Sequence, residues 1–176
     1  MLTKPSCLGV TVKPISDLGT LLKSLQPELN SGTFAFATLP SGRTLSLIDV
    51  VALVQEPGGT SVVVSSADLS RLELKTDFLC AWITLTVNSD LQAIGLTAAF
   101  STALGSAGIS CNVVAGTNHD HIFVPVSQAT AAMKVLHALQ ERAVAENAQC
   151  HQGVACVTPF AEKAHSGPGK GELAAD

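Results

Sequence analysis

Aromatic side chains are scarce in this chain: they make up 4% of its 176 residues, with a single tryptophan. A packed interior must therefore come mostly from Val, Leu, Ile and Ala, and hydrophobic residues at 47% are ample for one. Charge is scarce as well. Asp, Glu, Lys and Arg together reach 14%, well below the usual share of about a quarter. A surface so sparsely charged is expected to be covered by a second copy or a partner, or else filled with Ser, Thr and Gly. The ten Lys and Arg are scattered without forming a stripe and the net charge is −4, so the footprint of a nucleic-acid binder is missing. G-x-S-x-G, P-loop and HExxH motifs are missing too, so no catalytic motif stands out.

Long apolar runs are lacking. The most apolar stretch, 91–109, is interrupted by Gln92, Thr97, Ser101, Thr102 and Ser106 and by Gly95 and Gly105, which argues against a membrane span. Met1–Pro14 holds Lys4 and Lys13 and no apolar run, unlike a secretory signal. The five cysteines (Cys7, Cys80, Cys111, Cys150, Cys156) are odd in number and contain no CxxC. Reduced thiols and a cytoplasmic location are the expectation, with no membrane and no nucleic acid as partner.

What is present is a β/α pattern. Leu8–Val12 reads as a short strand, and Ser16-Asp17 opens a helix carrying Leu18, Leu21, Leu22 and Leu25, ended by Pro27. Thr33–Leu39 and Leu45–Gln55 read as strands, the latter interrupted near Asp49. Glu56-Pro57-Gly58-Gly59 turns the second of these into a hairpin with Thr60–Ser65, and Ala67–Leu74 reads as a short helix. Ala81–Val87 is rich in β-branched residues. Asn88-Ser89-Asp90 reads as a helix start, with the helix running to about Ala107, Gly95 inside it and Gly108 closing it. Ser110–Ala115 and Ile122–Val126 follow as strands, Pro125 marking an edge or an end. Gln128–Arg142 reads as the last helix, after which the pattern fails, apart from Val154–Phe160 as a short strand or docked segment.

Two polar clusters stand out. At Asn88–Leu91 a helix N-terminus would leave backbone N–H groups free for a carboxylate or phosphate, although plain capping explains Asn88 and Asp90 equally well. In His119-Asp120-His121 an extended backbone puts both imidazoles on one side and the carboxylate on the other. The pair suits a hydrogen-bonded turn, a ligand contact, or a metal with a third ligand from Cys111 or Asn112. It also suits a general base beside a Cys111 nucleophile. Asn112, an amide within a strand, either reads a polar ligand group or pairs with Ser110 or a backbone edge. His137, His151 and His165 are expected to face solvent.

The halves repeat an architecture, β-α-β-β-β-α over Leu8–Leu74 and β-α-β-β-α over Cys80–Arg142, with little residue identity. The segments AWITLTV, IGLTA, AGISCNVVAG and HDHIFVP resemble a family of small tandem ACT-domain proteins, strongly over about 45 residues and weakly over roughly 14–142. The PELNSGTFAF run and the Leu18–Leu25 helix extend the likeness into the first half. Family members tend to carry aromatic residues just before His-Asp-His, where this chain has Gly116-Thr117-Asn118, and Asp90-Leu91-Gln92-Ala93 lacks the Gly and Pro of better-known ACT loops.

The resemblance implies an α+β fold of ferredoxin-like βαββαβ units in tandem, with an antiparallel sheet and helices on one face. It implies an N-terminal unit over 1–77, a C-terminal unit over 78–143 and a flexible tail over 144–176. It further implies a non-enzymatic regulatory protein, free of cofactors, that binds an amino acid or similar metabolite and forms a homodimer. The ligand-binding residues it implies are Asn88, Ser89, Asp90 and Gly95; the chemistry of the second cluster adds Asn112, His119, Asp120 and His121, with no catalytic residue and no metal. Two alternatives stay open: a small metal protein or enzyme using His119, His121 and Cys111, and a pure assembly module.

Overall fold

The computed structural model describes residues 14–76 and 78–150. The elements are α1 (Leu18–Lys23), β1 (Pro27–Leu29), β2 (Phe34–Leu39), β3 (Val50–Glu56) and β4 (Gly59–Ser65), then β5 (Phe78–Leu85), α2 (Leu96–Ser106), β6 (Asn112–Ala115), β7 (Asp120–Pro125) and α3 (Ala129–Cys150). Seven strands form one antiparallel sheet in the order β3-β4-β2-β5-β7-β6, with β1 pairing the far half of β5. Phe34 to Phe36 face Cys80 to Phe78, while Pro27 to Leu29 face Leu85 to Ile83, so β1 and β2 together cover one flank of β5. The hydrogen-bonded sheet is continuous through both halves of the sequence.

Period-two alternation sorts the side chains of β5 onto two faces. Ala81, Ile83 and Leu85 join Ile122 and Val124 beneath the helices, packed against Leu21 and Leu25, Phe100 and Leu104, and Ala132 and Leu136. Ala37, Val62 and Val64 continue that face at the other end, covered by Leu72 and Leu74. Cys80 and Trp82 turn to the opposite face with Phe34, Val63 and Phe123. There the rings pack on one another: Phe34 meets Trp82 edge-on at 5.2 Å, and Phe36 meets Phe123 at 5.4 Å. The few aromatic residues are thus concentrated on the face away from the three helices.

Several element ends differ from the sequence reading. Lys23, not Pro27, is the last residue of α1, and Pro27 instead begins β1. The start of the 45–55 segment is a 3₁₀ turn at Leu47–Asp49. The expected helix over 67–74 is only a 3₁₀ turn at Ser66–Asp68 followed by turns, because Glu73 adopts a left-handed φ of 52° as Leu72 and Leu74 both reach inward. The largest change concerns α2, which starts at Leu96 and not near Asn88. Gly95 is its N-cap at φ 100°, a conformation no helix interior accommodates, so it does not lie inside the helix. α3 runs on to Cys150, so residues 144–150 are helical. Leu8–Val12, Val154–Phe160, Cys7, Cys156, His151 and His165 lie outside the described residues.

Candidate functional site

Each half contributes one loop leading into a helix, and the two loops touch. Ile15 bridges Ser89 in parallel: Ile15 N donates to the Asn88 carbonyl and Asp90 N to the Ile15 carbonyl, both at 2.9 Å. On one side Asp17 caps α1, its carboxylate accepting from Thr20 N at 2.8 Å and Thr20 Oγ1 at 2.6 Å. Those two hydrogen bonds favour the ionised form and hold the Asp17 carboxyl below its ordinary value. On the other side Asp90 folds its loop into a tight turn. Its Oδ1 accepts from Gln92 N at 2.9 Å and its carbonyl accepts from Ala93 N at 2.8 Å.

Asp90 therefore shapes a turn six residues before the helix instead of capping it. The free N–H groups expected at Asn88–Leu91 belong to the first turn of α2, which opens at Leu96 without a side-chain cap. Gly95 holds the seam between the halves. A Cβ on it would stand 2.9 Å from Leu18 Cδ2, at the first residue of α1. Ser89 is buried, Asn88 and Asp90 are half-buried, and Leu91 and Ile94 remain 68% and 86% exposed beside them.

The second cluster abuts the same loop, since His119 Nδ1 lies 3.3 Å from the Val87 carbonyl. Asp120 and His121 divide between the sheet faces as alternation requires. Asp120 pairs with Leu85 and points under the helices, 8% exposed; burial raises its carboxyl above the ordinary value, and His121 and His119 oppose that rise. His121 pairs with Thr84 on the aromatic face. Its Nδ1 accepts the Trp82 indole N–H at 3.1 Å and lies 3.3 Å from Thr84 Oγ1. Burial, and then His119, depress its pKa, with Asp120 opposing.

The eight residues singled out in the sequence do not converge. Asn88, Ser89, Asp90 and Gly95 share one loop; Asp120 faces the helices; Asn112, opposite Phe123, is exposed on the His121 face. Cys111 packs against the helix-covered core, with Sγ 3.8 Å from Ser101 Oγ of α2. A sheet thus separates Cys111 from His121, and neither a Cys–His dyad nor a shared metal site forms from them. Among the described residues no group of three His, Cys, Asp or Glu is placed to hold a metal ion. His137 is exposed as expected.

Ile15, Asp17, Asn30, Trp82 and Thr84 escaped the sequence reading. The first two carried a signal: Ser-Asp-Leu occurs at 16–18 and again at 89–91, once ahead of each of the two helices α1 and α2. The others carried none, because cross-strand register brings them to His121.

An antiparallel sheet with helices on one side, built from two halves in tandem, is consistent with paired ACT domains. Family models described as the ACT domain match residues 13–81 and residues 78–138. The chain belongs to the ACT-domain family and carries two of its domains in tandem, a class of module that typically binds ligands and regulates. A Vibrio cholerae protein of unknown function, described as a possible transport protein, is 39% identical with a TM-score of 0.60, the match covering 70% of this chain and 95% of that one. An Agrobacterium tumefaciens protein shares the fold at 14% identity and a TM-score of 0.56, over 66% of this chain and 89% of its own. The ligand-free regulatory subunit of Thermus thermophilus aspartate kinase does so at 12% identity and 0.50, over 64% and 95%. At those identities the likeness concerns the fold. No curated protein matches the chain, and among the described residues no helix is long and apolar enough to cross a membrane.

Proposed function

We infer that this chain is a non-enzymatic regulatory protein that binds an amino acid or closely related metabolite where the loops leading into α1 and α2 meet. The observation that carries this reading is the Ile15–Ser89 bridge, which fastens the two loops side by side. The chemistry there suits a zwitterion. Asp90 and Asp17 supply carboxylates for an ammonium group, and the uncapped first turn of α2 supplies backbone N–H groups for a carboxylate. Asn88, Ser89, Asp90 and Gly95 are the residues we assign to this site, between units divided at about residue 77. The sparse charge of the surface favours self-association of two copies.

A thermal-shift screen of the full chain against the common amino acids tests the reading. A ligand at one hundred times its dissociation constant adds about 2.7 kcal/mol of stability, and Asp90→Ala removes that shift. A melt that no amino acid or related small metabolite moves overturns it. A melting temperature independent of protein concentration removes self-association from the reading.

A further inference from the structure

The sheet face that α1, α2 and α3 leave uncovered has a polar centre. Register aligns Glu28, Thr84, His121 and Val114 in one cross-strand row. Asn30, hydrogen-bonded to the Trp82 carbonyl, starts the next row, which continues through Trp82, Phe123 and Asn112. Asn30 Nδ2 donates to Thr84 Oγ1 at 2.9 Å, which leaves the Thr84 proton to turn toward His121 Nδ1 at 3.3 Å. Trp82 Nε1 donates to the same nitrogen at 3.1 Å.

An indole N–H can only donate. Nδ1 of His121 is therefore a bare lone pair, and the imidazole is neutral with its proton on Nε2. Gly116 closes that side: a Cβ there would stand 3.2 Å from His121 Nε2 and 2.8 Å from the His119 carbonyl oxygen. Gly116 N in turn donates to the His119 carbonyl at 2.9 Å, which forms the turn between β6 and β7. An imidazolium carries N–H on both nitrogens. Thr84 can reverse its hydroxyl to accept the new proton, but Trp82 cannot.

We propose that protonation of His121 is a switch built into the sheet: it breaks the Trp82–His121 hydrogen bond and loosens the 116–119 turn from β5. Because His119 Nδ1 lies 3.3 Å from the Val87 carbonyl, movement of that turn reaches the loop that begins at Asn88. The titratable groups around His121 among the described residues are few. His119 and Asp120 flank it on its own segment, the first opposing and the second favouring the cation. Glu28 lies beyond Thr84 on β1, while β5 and β6 present Trp82, Thr84 and Val114, none of which titrates in this range. Burial holds the imidazole below the ordinary 6.5, so the switch operates on the acid side of that value. For a base with a depressed folded pKa, the stabilisation is fully present above 6.5 and is lost as pH falls through the folded value.

Trp82 is the only tryptophan, so its fluorescence reads the switch directly in the full-length chain. Between pH 8 and the onset of acid unfolding the emission should shift reversibly to longer wavelength, with a midpoint below 6.5. His121→Phe should abolish the shift and His119→Gln should keep it. A shift that survives His121→Phe, or its absence at every pH above the onset of acid unfolding, overturns the proposal. Should His121→Phe not fold, long-range ¹H–¹⁵N NMR of the unmodified chain decides instead. A bare Nδ1 with a protonated Nε2 at pH 8, changing to two protonated nitrogens on acidification together with the Trp82 indole resonance, supports the switch. A proton on Nδ1 at pH 8 overturns it.

Discussion

Trp82 on β5 donates its indole proton to His121 on β7 at 3.1 Å, although the two are not a directly opposed pair: Thr84 faces His121 and Phe123 faces Trp82. The contact is diagonal, two residues off register, a reach available to large rings on one sheet face. It ties the sole tryptophan to the His-Asp-His segment and places a polar bond within an aromatic cluster. The rings of Trp82 and Phe34, with centroids at 5.2 Å, brace it from the other side.

Trp82→Phe should destabilise the protein by about 1–2 kcal/mol, combining one net hydrogen bond with a weakened edge-to-face contact. Denaturant unfolding followed by circular dichroism measures this, since the variant has no tryptophan. A loss under about 0.3 kcal/mol would show that the indole–imidazole bond contributes nothing net.

Gly95→Ala combines two penalties, a side chain at φ 100° and a Cβ at 2.9 Å from Leu18 Cδ2. A loss of about 1–3 kcal/mol is expected. Adding Leu18→Ala creates room but leaves the strained backbone, so the double variant should recover only the steric part of the Gly95 penalty. A double-mutant cycle on thermal or urea unfolding separates the two.

Asp120→Asn replaces a carboxyl that burial keeps above its ordinary 3.8. The sign follows from proton binding. Between 3.8 and the raised folded value the native state holds more protons than the unfolded chain, so stability from this group falls as pH rises through that window. The variant loses that penalty. Its melting temperature relative to the parent should be higher at pH 7 than at pH 3, and a difference of the opposite sign would refute the burial argument.

Cys80 is fully buried, and desolvation pushes its thiol up to about 11, whereas Cys111 is half-buried at the helix side of β6. At pH 8 a thiol reagent should label Cys111 before Cys80, and labelling of Cys80 should follow the rate of global unfolding. Peptide mapping of labelled samples checks this; Cys80 labelling in step with Cys111 would contradict the packing described.

Much of the fold is legible because it rests on local periodicity. The β-branched run at 81–87, the helix end near Ala107 and the 56–59 turn all fell within or near their elements. The start of α2 was not legible. Asn-Ser-Asp is a sound capping signal, but Asp90 uses its side chain on Gln92 and its backbone on Ile15, a residue seventy-five positions earlier. A local rule cannot see a partner that distant. The His-Asp-His segment was half legible: alternation correctly put Asp120 and His121 on opposite sides, while nothing local announced Trp82, Thr84 or Asn30.

By itself, the order of residues determined the alternating strands, the helical stripes, the tandem ACT pattern and the lack of a basic stripe, since each depends on neighbours in the chain. Tertiary structure alone decided that β1 and β2 both flank β5, that the loops at Ile15 and Ser89 meet, and that Cys111 and His121 lie on opposite sides of one sheet. It also decided that His121 meets Trp82. The reason is register: a strand's own sequence sets which side chains share its face, but only its hydrogen-bonded partner sets which of them become neighbours.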